Sequence, residues 1–353
     1  MDKRYLVFNP GYEPSLQVGR AGYTPPLMVK RFRRDLGSLM FLLGDPEDIL
    51  LEEGMPAGSD GSFMPWGWAP DPVCLVGRYT LEEMKYRGSR ARTGDLVKLL
   101  LEKNPNIFES ITLPQVMSSG NIPKFSELPQ TVGWVVKEEF SSSGRGVHYF
   151  RDAQDLRDRL KMRHGNDFFL ETLFDKVEDR GYEFSRDPGG KISYVGPSEF
   201  LTSGGRYVGN RLRPIDKVES DWQKMDTFPT HSEYLEALIT GLQQLDLGRY
   251  SGFLGVDTIV YRDSVGVMRL HPCIEINVRP TMGHLALALI KKCPSKNFDG
   301  HFEIIYRASG ECRDILEGYQ PADLRDPSLT FTSGRYYLTP ILPETRFVAT
   351  VRL

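Results

Sequence analysis

Read for its alternation of apolar and polar positions, the chain divides into short buried strands, amphipathic helices and one polar-faced hairpin. Tyr5–Phe8 is a continuous apolar run stopped by Asn9-Pro10-Gly11, the pattern of a buried strand. Phe41–Leu43, ahead of Gly44-Asp45-Pro46, and Val73–Val76, ahead of Gly77, repeat it. Between the first two, Leu27, Phe32 and Leu36 share one face of a helix beginning at Pro26. Strand, helix, strand predicts a small α/β unit with a parallel sheet. The loop after its first strand lies where such sheets bind ligands, and reads equally as a substrate loop or a plain connection. Glu52–Pro72, rich in Gly, Pro and Trp, reads as irregular.

Thr80–Glu83 has the capping-box pattern, and Leu96, Leu99 and Leu100 carry a helical stripe on to Asn104-Pro105. Pro114 to Pro129 reads as a linker. Trp134–Val136 is a strand ending on Lys137, followed by Ser141-Ser142-Ser143-Gly144-Arg145-Gly146. Asp152 caps a helix whose contacts are Leu156 and Leu160. Phe168–Phe174 is a strand carrying one acid, Glu171, and Tyr182–Ser185 is another, carrying Glu183. Ser203–Arg213 reads as a Gly-rich basic loop. The clearest helix runs over Ser232–Leu247, with Ser232 as its cap and Leu235, Leu238, Ile239, Leu242 and Leu245 as its core stripe. It leads into the hairpin Gly255–Gly283, and beyond that come a short helix, His284–Lys292, and strands Arg335–Leu338 and Arg346–Arg352.

In the hairpin, a turn at Asp263–Gly266 sets Asp257 against Cys273 and Glu275. Glu275, Asn277 and Arg279 project from one strand face, and Ile274, Ile276 and Val278 from the other. Asp257, Glu275 and Asn277 are then hard oxygen ligands in one place, which suits Mg²⁺ shared with phosphate. Lys137 and the loop Ser141–Gly146 fit a phosphate cradle, the loop through unobstructed backbone N–H groups and the lysine as a point charge. An ordinary hairpin turn is the competing reading of that loop, since GxxxxGK[ST] is absent. Glu171 needs a partner, either an adenine amino group or a basic side chain. Glu183 faces ribose or water. Lys85, Arg87, Arg90 and Arg92 read first as a solvated helix face and second as a phosphate contact.

Composition narrows the classes. Across 353 residues the chain is 40% hydrophobic and 26% charged, ordinary values for a globular protein with two or three subdomains. A net charge of −3 argues against a dominant nucleic-acid surface. Four cysteines without CxxC spacing suggest a reducing compartment. With no signal-peptide pattern and no apolar span, the expectation is a cytoplasmic protein that binds neither nucleic acid nor membrane.

Taken in order, VVK, the Ser/Gly loop, a strand with Glu and D…EIN resemble the ATP-grasp superfamily over about residues 85–290. The resemblance implies an α/β (α+β) fold with ATP between two β-sheets. Its parts would be an N-terminal α/β pre-grasp domain (1–110), a lid subdomain (111–175) and a C-terminal subdomain with the metal site (176–353). It implies ATP contacts from Lys137, Ser141, Ser142, Ser143, Gly144, Arg145, Gly146, Glu171, Thr172, Leu173 and Glu183. Asp257, Glu275 and Asn277 would hold Mg²⁺, with Mn²⁺ as an alternative. The implied activity joins small-molecule carboxylate and amine substrates through an acylphosphate, with Lys137 and Arg279 catalytic, in a monomer or homodimer. EINVRPTMG departs from D-alanine–D-alanine ligases, where an arginine stands two residues before the metal Asp; here it is Gly255. Arg279 resembles instead the EVNxR ending of carboxylase-type members. A small-molecule kinase and a non-catalytic ATP sensor are the competing functions. Zinc at His271, Cys273 and Glu275 is a weaker reading, because the set lacks a fourth ligand.

Overall fold

The computed structural model describes residues 3–19, 23–52, 55, 61–70, 78–108, 113–117, 132–141, 146–161, 167–203, 206–308 and 312–353. Three sheets organise them. In the first, β1 (Arg4–Val7) lies between β2 (Ile49–Leu50) and β3 (Ser62–Pro65), parallel to both. The parallel α/β unit is therefore present, but its outer strands are not the ones the apolar runs predict. Phe41–Leu43 falls in and just beyond a 3₁₀ turn, Gly37–Leu42, that continues helix α2 (Leu27–Leu36). Leu39 and Met40 are fully buried there, and a short apolar run is buried whichever way its backbone turns. Residues 73–76 lie outside the described residues, and the stretch read as irregular supplies β3. Leu27 is 62% exposed, so the helix face rests on Phe32 and Leu36. The loop after β1 contains a further helix, α1 (Tyr12–Val18).

The second sheet has the order β4 (Gln115–Met117), β7 (Phe168–Thr172), β5 (Trp134–Glu138), β6 (Val147–Phe150), all antiparallel. Its back face, Trp134, Val136, Phe168 and Leu170, packs on Leu156 and Leu160 of a helix over Ala153–Lys161. Asp152 caps that helix as expected, its Oδ1 accepting from the N–H groups of Gln154 and Asp155.

The third sheet joins ten strands. They are β8 (Asp175–Arg186), β9 (Ile192–Ser203), β10 (Arg206–Leu212), β11 (Gly252–Arg262), β12 (Met268–Leu270), β13 (Glu275–Asn277), β14 (Gly300–Tyr306), β15 (Gln320–Pro321), β16 (Arg335–Tyr337) and β17 (Phe347–Arg352). β11 lies beside β8, with β12 and β13 on its other edge. The basic loop predicted over Ser203–Arg213 is mostly the β9–β10 pair. Gly209 sits at its bulge, where a Cβ would come within 2.3 Å of the Phe302 carbonyl, so glycine here serves close backbone approach. Arg211 pairs with Asp299, and Arg213 with Glu199 and Asp221.

Alternation along β8 and β11 sorts the large sheet into two faces. Tyr182, Phe184, Leu254 and Val256 enter a core with Trp222, Tyr234, Leu238 and Leu242 from two covering helices. Each such fully buried side chain contributes about 1.5–3 kcal/mol. The longer helix runs His231–Gln244 and is capped by Thr230 in a capping box with Glu233. Thr230 rather than Ser232 caps it, because the hydroxyl that meets the first free N–H groups must precede the first helical residue. The opposite sheet face carries Glu183, Asp257, Glu275 and Asn277, and against it packs a helix over Met282–Lys291.

Candidate functional site

The hairpin forms as its turn chemistry predicts. The Gly266 N–H donates to the Asp263 carbonyl, Gly266 has φ 85°, and Asp263 Oδ1 accepts from Val265 and Val267. Its register sets Asp257 opposite Glu275 and Gly255 opposite Asn277. The Asn277 amide donates to Asp257 Oδ2 at 3.1 Å, leaving the amide oxygen for another partner. Burial, then the negative charges of Glu275 and Glu183, push the Asp257 pKa well above the carboxylate range. Two carboxylates face one another here with too little positive charge between them. A divalent cation would relieve that, and the donors are hard oxygens, so the residues fit Mg²⁺. Among the described residues no group of three or more His, Cys, Asp and Glu could hold a metal. His271, Cys273 and Glu275 thus do not form a zinc site. His271 is buried, accepts from the Cys273 N–H, and is held neutral down to about pH 3 by burial and by Lys137.

Lys137 comes to this face from the small sheet. Its ammonium pairs with Glu171 Oε2 at 2.6 Å and donates to the Ile274 carbonyl at 2.8 Å. Glu171 has therefore found a basic side chain, and Lys137 bridges the two sheets one residue before Glu275. Thr172 lies opposite Trp134, and the Leu173 N–H donates to the Gly133 carbonyl at 2.9 Å. Leu173 thus spends its amide on the sheet. At the loop's ends, Ser141 is buried and Gly146, at φ 71°, accepts from the Glu138 N–H at 2.9 Å. Ser142, Ser143, Gly144 and Arg145 lie outside the described residues.

Arg90 was hidden in the basic cluster. It precedes α4 (Ala91–Lys103), which a break at Ser89-Arg90 separates from α3 (Leu81–Gly88). Far from lining a solvated face, Arg90 is 7% exposed. It pairs with Glu275 Oε1 at 3.1 Å and donates to the Glu138 carbonyl at 2.9 Å and to Ser141 Oγ at 3.1 Å. One guanidinium ties the metal-face acid to the strand end and the Ser/Gly loop, which its rigid fork suits. Arg87 is buried as well, over the Tyr79 ring at 3.9 Å, while Arg92 pairs with Asp95. The available signal was the helix break, since an arginine at a break between helices is aimed by both.

Glu183 does not face water. It is 2% exposed and accepts from Ser198 Oγ and Thr281 Oγ1, both at 2.8 Å, with His284 Nδ1 at 2.9 Å. Burial opposes its charge, but His284, Thr281 and Ser198 win, and its pKa is lowered. The pair anchors the helix capped by Thr281 under the hairpin.

Arg279 leaves the hairpin toward the N-terminal unit. Its Nε lies 3.6 Å from Glu13 Oε1, and the rings of Tyr12 and Trp66 each stand 5.9 Å from its guanidinium. Burial works against its charge, yet Tyr12, Glu13 and Glu275 raise its pKa. Glu13 carries no signal in the sequence, because only the packing of α1 brings it here.

No protein-family model and no curated protein sequence matches the chain. Solved structures do. It is similar to N5-carboxyaminoimidazole synthetase from Staphylococcus aureus complexed with ADP, at TM-score 0.53 and 8% identity, covering 100% of this chain and 94% of that one. It is similar to carboxyaminoimidazole ribonucleotide synthase from Aspergillus clavatus complexed with ATP, at TM-score 0.53 and 9% identity, with the same 100% and 94% coverage. A biotin carboxylase–β-γ-ATP complex from Campylobacter jejuni matches at TM-score 0.52 and 10% identity, over 99% and 87%. These are ATP-grasp enzymes, and at such identities the likeness is one of fold.

Proposed function

We propose that this chain, which has the ATP-grasp fold, is an ATP- and Mg²⁺-dependent ligase joining a carboxylate to an amine of amino acid or peptide type through an acylphosphate. The observation that carries the reading is the register of Asp257 against Glu275, with Lys137 reaching the adjoining Ile274 carbonyl from the facing sheet. Acidic oxygens and a buried ammonium thus meet where two sheets face each other. Asp257, Glu275 and Asn277 would hold the cation, and Mn²⁺ takes the same donors. A cation held there would supply positive charge against the charge that develops during phosphoryl transfer.

The chain's own groups divide the remaining work. Lys137 supplies a fixed positive charge to phosphate, and Glu171 holds its ammonium in place. Ser141 and Gly146 anchor the ends of a loop whose small residues let N–H groups approach phosphate oxygens. Arg90 keeps Glu275 and that loop in one orientation. Arg279 is half-buried beyond Asn277 and offers an oxyanion partner to the substrate carboxyl during attack. Among the described residues no helix is long and apolar enough to cross a membrane.

The test is phosphate release from ATP and Mg²⁺ with carboxylates and amines supplied in pairs. Glu275→Gln should abolish turnover, since it removes a metal oxygen's charge and the Arg90 ion pair together. An unchanged rate would sink the metal assignment.

A further inference from the structure

Three arginines gather around one ring at the start of α3. The guanidinium of Arg87 stands 3.9 Å from the centre of the Tyr79 ring, that of Arg78 5.4 Å, and that of Arg249, just ahead of β11, 5.5 Å. Among the described residues one carboxylate pairs with them, Glu83. Its oxygens are already in use. Oε1 accepts from Arg249 Nε at 3.0 Å, and Oε2 accepts from Arg249 Nη2 at 3.2 Å and from the Thr80 N–H at 2.6 Å.

The other two arginines are poorly served. Arg87 is 5% exposed, and its Nη1 stands 4.0 Å from Glu83, too far for a hydrogen bond. Its buried Nη2 has no hydrogen-bond partner among the described residues. Burial lowers the Arg87 pKa, and the charge of Arg249 acts in the same direction. Arg78 donates from Nη2 to the uncharged Ser251 hydroxyl at 2.8 Å, and no carboxylate among the described residues pairs with it. A tyrosine face attracts cations but supplies no counter-charge.

The cluster therefore carries a surplus of two positive charges. It opens to solvent through Arg249, whose side chain is 62% exposed, and through Arg78, also exposed, so an anion needs no cavity to reach it. Guanidinium forks match phosphate oxygens in geometry. A phosphate group carries about −1.5 to −2 near pH 7, which balances the surplus, whereas a carboxylate would leave the cluster cationic. The net charge of −3 over the whole chain disfavours a polynucleotide as the occupant.

We infer that Arg78 and Arg249, backed by the buried charge of Arg87, form a surface site for a phosphate dianion. It is built from residues that the hairpin face does not use, and it stands whether or not the ligase reading does. The ligand's oxygens accept from Arg78 and from Arg249 Nη1, and the phosphate supplies the counter-charge that Glu83 alone cannot.

Thermal unfolding of the full chain is followed against inorganic phosphate and glycerol 3-phosphate, with ionic strength held constant by sodium chloride. Wild type is compared with the double variant Arg78→Gln/Arg249→Gln and with Glu83→Gln. Wild type should show saturable stabilisation by phosphate, and loss of the charge-assisted contacts should raise the apparent Kd about tenfold or more in the double variant. Glu83→Gln removes the competing carboxylate and should lower the Kd below the wild-type value. No stabilisation beyond that of chloride overturns the inference. So does an equal Kd in wild type and double variant, which places the phosphate elsewhere. Should the double variant fail to fold, Glu83→Gln decides, and an unchanged or raised Kd there overturns the site. Tighter binding of glycerol 3-phosphate than of inorganic phosphate supports the site with a phosphorylated organic molecule as its ligand; equal or weaker binding supports it with the free ion.

Discussion

The same substitution, glycine to alanine in a helix, should have opposite signs at Gly283 and Gly94. Removing a helical glycine ordinarily stabilises by about 0.5–1 kcal/mol, through backbone entropy lost from the unfolded chain. At Gly94, inside α4, an added Cβ meets nothing within 4 Å, so that full gain is expected. At Gly283 the Cβ would lie 1.9 Å from Glu183 Oε1 and 2.5 Å from Ser198 Oγ. Neither is a free end, because Glu183 is locked by Ser198, Thr281 and His284. Overpacking costs about 1–3 kcal/mol and a broken buried hydrogen bond about 1–3 more. Set against the propensity gain, the net loss is about 3 kcal/mol. Urea denaturation of wild type and the two variants, compared by midpoint, measures it. A Gly283→Ala midpoint equal to or above that of Gly94→Ala would refute the claim that the Glu183 carboxylate is rigidly packed beneath the hairpin.

Two further outcomes follow from contacts around the site. Arg90→Lys keeps the charge but cannot reach Glu275, Glu138 and Ser141 at once; steady-state kinetics should show the KM for ATP raised about tenfold or more, and an unchanged KM contradicts the bridging role. His231 is buried against Tyr182, and burial, with Arg180 nearby, lowers its pKa to about 4 from 6.5. Between those values the unfolded chain binds the proton that the folded one refuses, so this contribution is complete above about pH 6.5 and is lost as pH falls toward 4. His271 acts in the same direction, whereas Asp257, with a raised pKa, favours the folded state as pH falls. His231→Asn should flatten the slope of the urea midpoint between pH 7 and 4, and an unaltered slope excludes His231 as a source of it.

What the sequence determined by itself was local chemistry. Alternation along one strand put Glu275 and Asn277 on a common face, and the Asp263–Gly266 turn set the register that opposes Asp257 to Glu275, while Arg279 lies beyond the strand's end. Capping patterns at Thr80 and Asp152 were legible because a cap is decided within four residues. The order of VVK, the Ser/Gly loop and EIN carried the fold only through its resemblance to the ATP-grasp superfamily, which implied two facing sheets.

Only tertiary structure decided partners. Glu171 had two candidate partners until β5 and β7 paired and brought Lys137 beside it. Glu183 read as facing ribose or water and Arg90 as a solvated face first and a phosphate contact second, because a charged residue in sequence does not say whether a counter-charge will be folded over it. Thr281 and His284 did so for Glu183, and Glu275 did so for Arg90. The apolar runs at 41–43 and in β1 looked alike, and packing made one a 3₁₀ turn and the other the central strand of a sheet. Glu13 is the extreme case: nothing within ten residues of it predicts an arginine partner, and only the docking of the N-terminal unit on the hairpin supplies one. Periodicity and capping act over a few residues, whereas charge pairing in a dry interior depends on which distant segments the core brings together.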